Sequence, residues 1–281
     1  MLVFFPSKMY DGNESTHVKS MEKNAIRSAL HHPALHRLAQ SFPARVFSIF
    51  LDFLFPPRCP VCERILLPSE GLVCAKCRRD LPYVREPMCM RCGKQLNDPV
   101  KEYCPDCETR PHLYEEGRAV FLYEKGIRLS VNRLKFENRR EYIPFYADCL
   151  SRLLLAWQPV WKAACLVPIP MHPKKRAARG FDQALLLARS LSRLSGMPVE
   201  EHLLIRTRMT ESSKKLGRTE RRKNLRGVFK ANTARPIPES VILIDDIYTT
   251  GATMDEAARA LRKAGAGRVY FLTLCIGRGA G

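Results

Sequence analysis

The sequence of 281 residues contains no run of about 18 uncharged apolar residues, which excludes a transmembrane helix of ordinary length. Its first residues, Met1 to Pro6 and then a polar stretch, lack the basic start and long apolar core of a secretory signal. No Walker-type Gly-x-x-x-x-Gly-Lys-Ser/Thr loop occurs, and the closing Gly277-Arg-Gly-Ala-Gly281 has no helix after it to make a dinucleotide loop. Acidic residues are scarce: 28 Asp and Glu against 47 Lys and Arg leave a net charge of +19. That balance points to an anionic partner such as nucleic acid or anionic lipid, beside the plainer reading of a protein that is simply basic. At 46% apolar and 27% charged residues, the chain is globular stock with room for about two domains. Eleven cysteines with no export signal imply a reducing compartment and metal binding rather than disulfides.

Charge is unevenly spread. Residues 170–230 hold 16 basic and 5 acidic groups, net +11, whereas residues 59–116 come to −1. Lys214, Lys215, Arg218, Arg221, Arg222, Lys223 and Arg226 are too many for one small ligand and are the candidate nucleic-acid-binding residues. At helical spacing Arg218, Arg221, Arg222 and Arg226 share a face suited to a phosphate backbone, with a solvated charged face as the alternative. Aromatic partners for base stacking are sparse there, Phe229 being the only one close. Residues 1–44 read as a poorly ordered extension, with Met21 a second candidate start. His31, His32 and His36 sit among Ala and Leu as a weak surface helix rather than a metal group. Residues 45–57 read as an apolar helix stopped by Pro56-Pro57, whose greasy face packs on the body or docks on a membrane surface or partner.

Residues 58–116 carry an internal repeat. Cys59-Pro-Val-Cys62, Cys74-Ala-Lys-Cys77, Cys89-Met-Arg-Cys92 and Cys104-Pro-Asp-Cys107 recur every 15 residues, with Leu66, Leu81 and Leu96 in the same register. A Cys-x-x-Cys pair makes a knuckle whose two thiolates reach one zinc, and two knuckles complete a tetrahedral site. Eight thiolates therefore predict two structural zinc ions, most simply Cys59, Cys62, Cys74, Cys77 and Cys89, Cys92, Cys104, Cys107; cross-paired knuckles satisfy the spacing equally. Four thiolates close the coordination sphere and leave no position for a reacting water. Cys149, Cys165 and Cys275 have no partners at ligand spacing and read as small core residues.

From residue 117 to 281 the pattern is α/β. Strands are expected over 119–123, 164–169, 240–244 and 269–276, and helices over 126–135, 142–157, 183–194 and 253–264. Such alternation implies a mostly parallel sheet with helices on both faces. Within it lies Val241-Ile242-Leu243-Ile244-Asp245-Asp246-Ile247-Tyr248-Thr249-Thr250-Gly251-Ala252-Thr253. Two carboxylates at the carboxyl end of a buried strand can accept hydrogen bonds from a sugar diol and sit near Mg2+. The hydroxyl-rich turn entering a helix can cradle a phosphate.

This string resembles the phosphoribosyl-diphosphate (PRPP) motif of type I phosphoribosyltransferases. The resemblance implies PRPP contacts from Asp245, Asp246, Tyr248, Thr249, Thr250, Gly251, Ala252 and Thr253, Asp245 and Asp246 being the catalytic pair, with Mg2+ accompanying PRPP. After Val167-Pro168-Ile169-Pro170, the basic Lys174-Lys175-Arg176 and Arg179-Gly180-Phe181-Asp182-Gln183 occupy the place of the pyrophosphate loop, and Lys174, Arg176 and Arg179 are implied as ligands. With the four knuckles in front, and Arg206, Arg208, Leu216, Arg221, Asn224, Leu225, Gly227 and Phe229 behind, residues from about Phe47 to Ile276 resemble the competence-protein ComF (ComFC) family. Membership implies a double zinc ribbon before a type I phosphoribosyltransferase-like domain, and a cytoplasmic role with single-stranded DNA in natural transformation. It also implies a place beside other competence proteins at the inner face of the membrane, peripheral at most. Many relatives have Gln near position 213, where this chain has Ser213; Asp182 stands where Asn is commoner, and Thr249 where 6-oxopurine transferases carry an Asp. Three functional readings compete: a DNA-handling protein with a PRPP-type site, a metabolic phosphoribosyltransferase, and a non-catalytic nucleic-acid-binding module with a vestigial pocket.

Overall fold

The computed structural model describes residues 54–210, 220 and 224–278. The N-terminal extension, the expected apolar helix up to residue 53, and Lys214, Lys215, Arg218, Arg221, Arg222 and Lys223 lie outside the described residues. Two compact units are distinguished, the first ending at Ala75 and the second running from Lys76 to Gly281.

The cysteine repeat resolves into two kinds of knuckle that alternate. The first and third are hairpins: Glu63 and Gly93 donate to the Cys59 and Cys89 carbonyls at 2.8 and 2.9 Å, and the N–H of Cys59 and Cys89 reach the carbonyls of Arg64 and Lys94 at 2.8 and 2.7 Å. Antiparallel bridges Arg58–Ile65 and Met88–Gln95 close them. The second and fourth sit at short helices, α1 (Ala75–Arg79) and α2 (Pro105–Glu108). The period of 15 in sequence is thus a period of 30 in structure.

The α/β part begins with β1 (Glu116–Leu122), followed by α3 (Lys125–Phe136) and α4 (Ile143–Trp161). Next come β2 (Cys165–Pro168), α5 (Pro173–Arg179) and α6 (Gln183–Ser195). β3 (Leu204–Arg206) and β4 (Phe229–Ala231) pair antiparallel on either side of the basic run. β5 (Ser240–Tyr248), α7 (Ala252–Lys263) and β6 (Arg268–Ile276) follow. Four strands form one parallel sheet in the order β1-β6-β5-β2. Such a sheet is covered on both faces, which is why Val241, Ile242, Leu243 and Ile244 are all fully buried although they alternate in direction. On one face Met254, Ala257, Ala258 and Leu261 of α7 join Val241, Leu243, Val269 and Phe271 in a single apolar cluster. On the other, α4 packs against α6 and Trp161 stacks on Tyr270 with ring centres 4.9 Å apart.

Elements read from the sequence are found within a few residues of their expected ends. The largest shifts are α4, which runs on to Trp161, and β5, which continues through the acid pair to Tyr248 because its neighbour β6 extends alongside, Asp245 opposite Thr273 and Tyr248 opposite Ile276. Cys149, Cys165 and Cys275 are buried, as their isolation predicts. Among the described residues no helix is long and apolar enough to cross a membrane.

Candidate functional site

The eight knuckle cysteines form two tetrads in sequence order, Cys59-Cys62-Cys74-Cys77 and Cys89-Cys92-Cys104-Cys107, the sulfur atoms of each lying within 4.8 Å of one another. Four soft sulfur donors at that separation fit a tetrahedral zinc. Each tetrad combines one hairpin knuckle with one helical knuckle. The second is fully buried and shares an apolar cluster with Tyr114, Tyr248 and Phe271.

A cleft of about 290 Å³ opens at the carboxyl ends of β2 and β5, where parallel sheets place ligands. Asp245, Thr249, Thr250, Ala252 and Thr253 line it, together with Lys175, Arg179, Arg206, Asp182, Gln183, Thr210, Asn224 and Leu225. Gly251 caps α7 at φ +77°, and a Cβ there would lie 2.7 Å from the Tyr248 hydroxyl and 3.1 Å from His112. Only glycine lets the chain turn this tightly from strand to helix. The turn leaves the first N–H groups of α7 without partners inside the helix.

Asp182 caps α6: one oxygen accepts from the Leu185 N–H at 3.3 Å and the other from the Met171 N–H at 2.9 Å. An aspartate at this position therefore orders the cleft wall. Arg179 donates to Gln183 Oε1 at 2.6 Å and Arg206 to Thr210 Oγ1 at 2.6 Å. Desolvation, then repulsion from Arg206 and Arg179, lowers the Lys175 ammonium's pKa, and desolvation also lowers that of Arg206. Three cations crowded into one wall are the electrostatic signature of a site for a polyanion.

Asp246 sits one layer behind the cleft. Its Oδ2 receives Lys135 Nζ at 2.5 Å and Gln183 Nε2 at 3.3 Å, and its N–H donates to Asp245 Oδ1 at 2.8 Å. Burial, then the Asp246 charge beside it, raises the Asp245 carboxyl well above the usual range. Burial works against the charge of Lys135, yet Asp246 and Asp245 outweigh it and raise its pKa. The acid pair is thus not an open, all-oxygen site of the kind that holds a resident Mg2+, because one of its oxygens already carries an ammonium and an amide.

Several expected ligands are placed elsewhere. Tyr248 is buried on the α7 face, its hydroxyl 2.6 Å from that of Tyr114 and its ring stacked on Phe271, so its side chain turns from the cleft. Lys174 and Arg176 are exposed and outside the cleft lining. The physical reason is that this stretch is helical rather than a loop: residues 175 and 179, four apart, share one face, and 174 and 176 point to others. Lys175, and not its neighbours Lys174 and Arg176, therefore lines the cleft. Asp245, Thr249, Thr250, Ala252, Thr253 and Arg179 are brought together as expected. Of the nucleic-acid candidates only Arg226 is described, and it is exposed. The described ends of that basic run, Thr210 and Asn224, both line the cleft. Lys135 had no local signal, since only the fold carries α3 to β5.

Residues 50–108 match the double zinc ribbon domain family and residues 186–281 the phosphoribosyl transferase domain family. Over 206 residues the chain is 35% identical to competence protein ComFC of Bacillus subtilis, covering 71% of this chain and 82% of the relative. Competence protein F of Haemophilus influenzae is 28% identical over 218 residues, 74% of this chain and 92% of that one. The DNA utilization protein YhgH of Salmonella typhi is 28% identical over 228 residues, 78% and 97% respectively.

Proposed function

The chain belongs to the ComFC family of competence proteins, and from that premise we propose that it handles single-stranded DNA while binding PRPP in the cleft. The observation that carries this reading is a single cleft lined by two unlike sets of groups: a Thr-rich turn at the start of α7 and the cations Lys175, Arg179 and Arg206, with Asp245 in the same lining. The turn and the free N–H groups of α7 hold the 5-phosphate. Asp245 accepts a ribose hydroxyl, and the three cations face the pyrophosphate, as charge-assisted hydrogen bonds favour. Magnesium travels with the pyrophosphate of the ligand and not with the acid pair. The closed cysteine tetrads hold zinc structurally, and the basic residues Lys214, Lys215, Arg218, Arg221, Arg222, Lys223 and Arg226 meet the DNA backbone. The protein works in the cytoplasm, peripheral to the inner membrane, with other competence proteins.

Calorimetry with PRPP and Mg2+, with and without single-stranded DNA, tests both halves. PRPP should bind the full chain, and Thr250→Val should weaken it by about 1–3 kcal/mol. Replacing Arg218, Arg222 and Lys223 together should reduce the salt dependence of DNA binding by about 0.7 per lost phosphate contact and leave PRPP affinity intact. An absence of PRPP binding to the wild-type protein would refute the assignment of the cleft.

A further inference from the structure

The sugar end of the cleft already contains a cation of its own. Lys135, from the last turn of α3, lines the cleft with its side chain 16% exposed, and its ammonium meets an Asp246 side chain only 7% exposed. A lysine is seldom buried to this degree without a partner, and here the partner is one of two adjacent carboxylates. Gln183 holds the same Asp246 oxygen, and Asp245 turns one oxygen back onto the Asp246 N–H. Two bare carboxylates on one strand end would repel each other and attract a hard divalent ion. With Lys135 inserted, one charge is neutralised, Asp246 is spent, and of the two acids it is Asp245 that lines the cleft.

We propose that Lys135 is the resident cation of the ribose subsite. It neutralises one charge of the acid pair, that of Asp246, so that a ribose diol is accepted by Asp245 with no divalent ion on the protein's carboxylates. An ammonium has three donors, so Lys135 keeps N–H groups for a sugar hydroxyl after its bond to Asp246. Lys135 is a positioning residue for Asp246 and a binding residue for the sugar. The inference rests on the ribose-phosphate reading of the cleft given above.

Ribose 5-phosphate is the probe, because it lacks the pyrophosphate that would bring magnesium with it. Its binding to the full chain is measured calorimetrically in metal-free buffer and in millimolar MgCl2, with zinc content checked before and after. Wild-type affinity should be the same within about twofold in the two buffers, as expected where no ion bridges ligand and protein. Lys135→Met should lose about tenfold in metal-free buffer and regain part of it with magnesium, as the vacated acids take up the ion. Lys135→Arg should keep most of the wild-type affinity and its indifference to magnesium. A wild-type protein that needs magnesium to bind ribose 5-phosphate overturns the proposal whether or not the variants fold. So does a folded Lys135→Met that binds like the wild type without metal. Failure of ribose 5-phosphate to bind in either buffer sinks the proposal together with the ribose-phosphate reading, whereas magnesium-dependent binding sinks the proposal alone.

Discussion

The two cysteine tetrads descend from one sequence pattern and end in different surroundings. In the first, Cys62 is exposed and Cys77 half-buried; in the second all four are buried. The second tetrad shares its apolar cluster with Tyr114, Tyr248, Phe271 and the core of α7. Lys94 Nζ, itself buried, reaches Asp106 at 2.8 Å across it. Ligand spacing decides that a zinc site forms, and the chain that follows decides what the site supports. The first tetrad is followed by another knuckle, the second by β1 and the sheet.

Removing one ligand from each tetrad separates the two sites. Cys92→Ser should cost the Lys76–Gly281 unit at least about 3 kcal/mol and weaken PRPP binding, because the lost zinc is part of its core. Cys62→Ser should lose one zinc while that unit's melting temperature and the cleft's affinity stay put. Zinc analysis and thermal unfolding of both variants give the answer; equal destabilisation would end the distinction.

Next in size is the hairpin glycine. Gly93 has φ +72°, and a Cβ there would lie 2.8 Å from the Gly117 carbonyl oxygen. Gly93→Ala should therefore cost about 2–4 kcal/mol, strain plus contact, read by chemical denaturation. In the cleft built on the same core, Asp245→Asn should weaken PRPP binding by about 1–3 kcal/mol yet raise the melting temperature at pH 7. The sign follows from the raised pKa of Asp245: the folded state holds its proton more tightly, so the aspartate's cost appears as pH rises above the ordinary value of 3.8 and vanishes below it. Unfolding curves at neutral and at acid pH should converge for wild type and variant at the acid end. The smallest effect belongs to Glu63, the counterpart of Gly93, which occupies φ 61° without being glycine. Glu63→Gly should gain about 0.5–1 kcal/mol in the first tetrad, measured as slower zinc loss to a chelator.

The sheet was legible because its strands are continuous apolar runs between polar turns, and the phosphate turn because strand, acids, threonines and helix are contiguous in the chain. Four features were not. The alternation of hairpin and helical knuckles is invisible in a repeat defined by cysteines, since Gly93 and Glu63 differ while doing the same turn. The identity of the cleft's cations depends on α5 being a helix, and seven residues opened by a proline give too short a pattern to show a period. Lys135 reaches Asp246 only through the packing of the sheet, which no local spacing encodes. β3 and β4, three residues each on either side of the basic run, are likewise set by their pairing alone.

The hydroxyl contact between Tyr114 and Tyr248 has a practical meaning at the bench. Tyr248 is the last residue of β5, and the turn that lines the cleft begins at the next one; Tyr114 follows the last cysteine of the second tetrad by seven residues. A preparation leached of zinc at that tetrad would measure as a poor PRPP binder although every residue of the cleft was intact. A chelator added to remove magnesium would then imitate a magnesium requirement, and apparent inactivity would vary with the age and history of the sample rather than with the ligand offered to it.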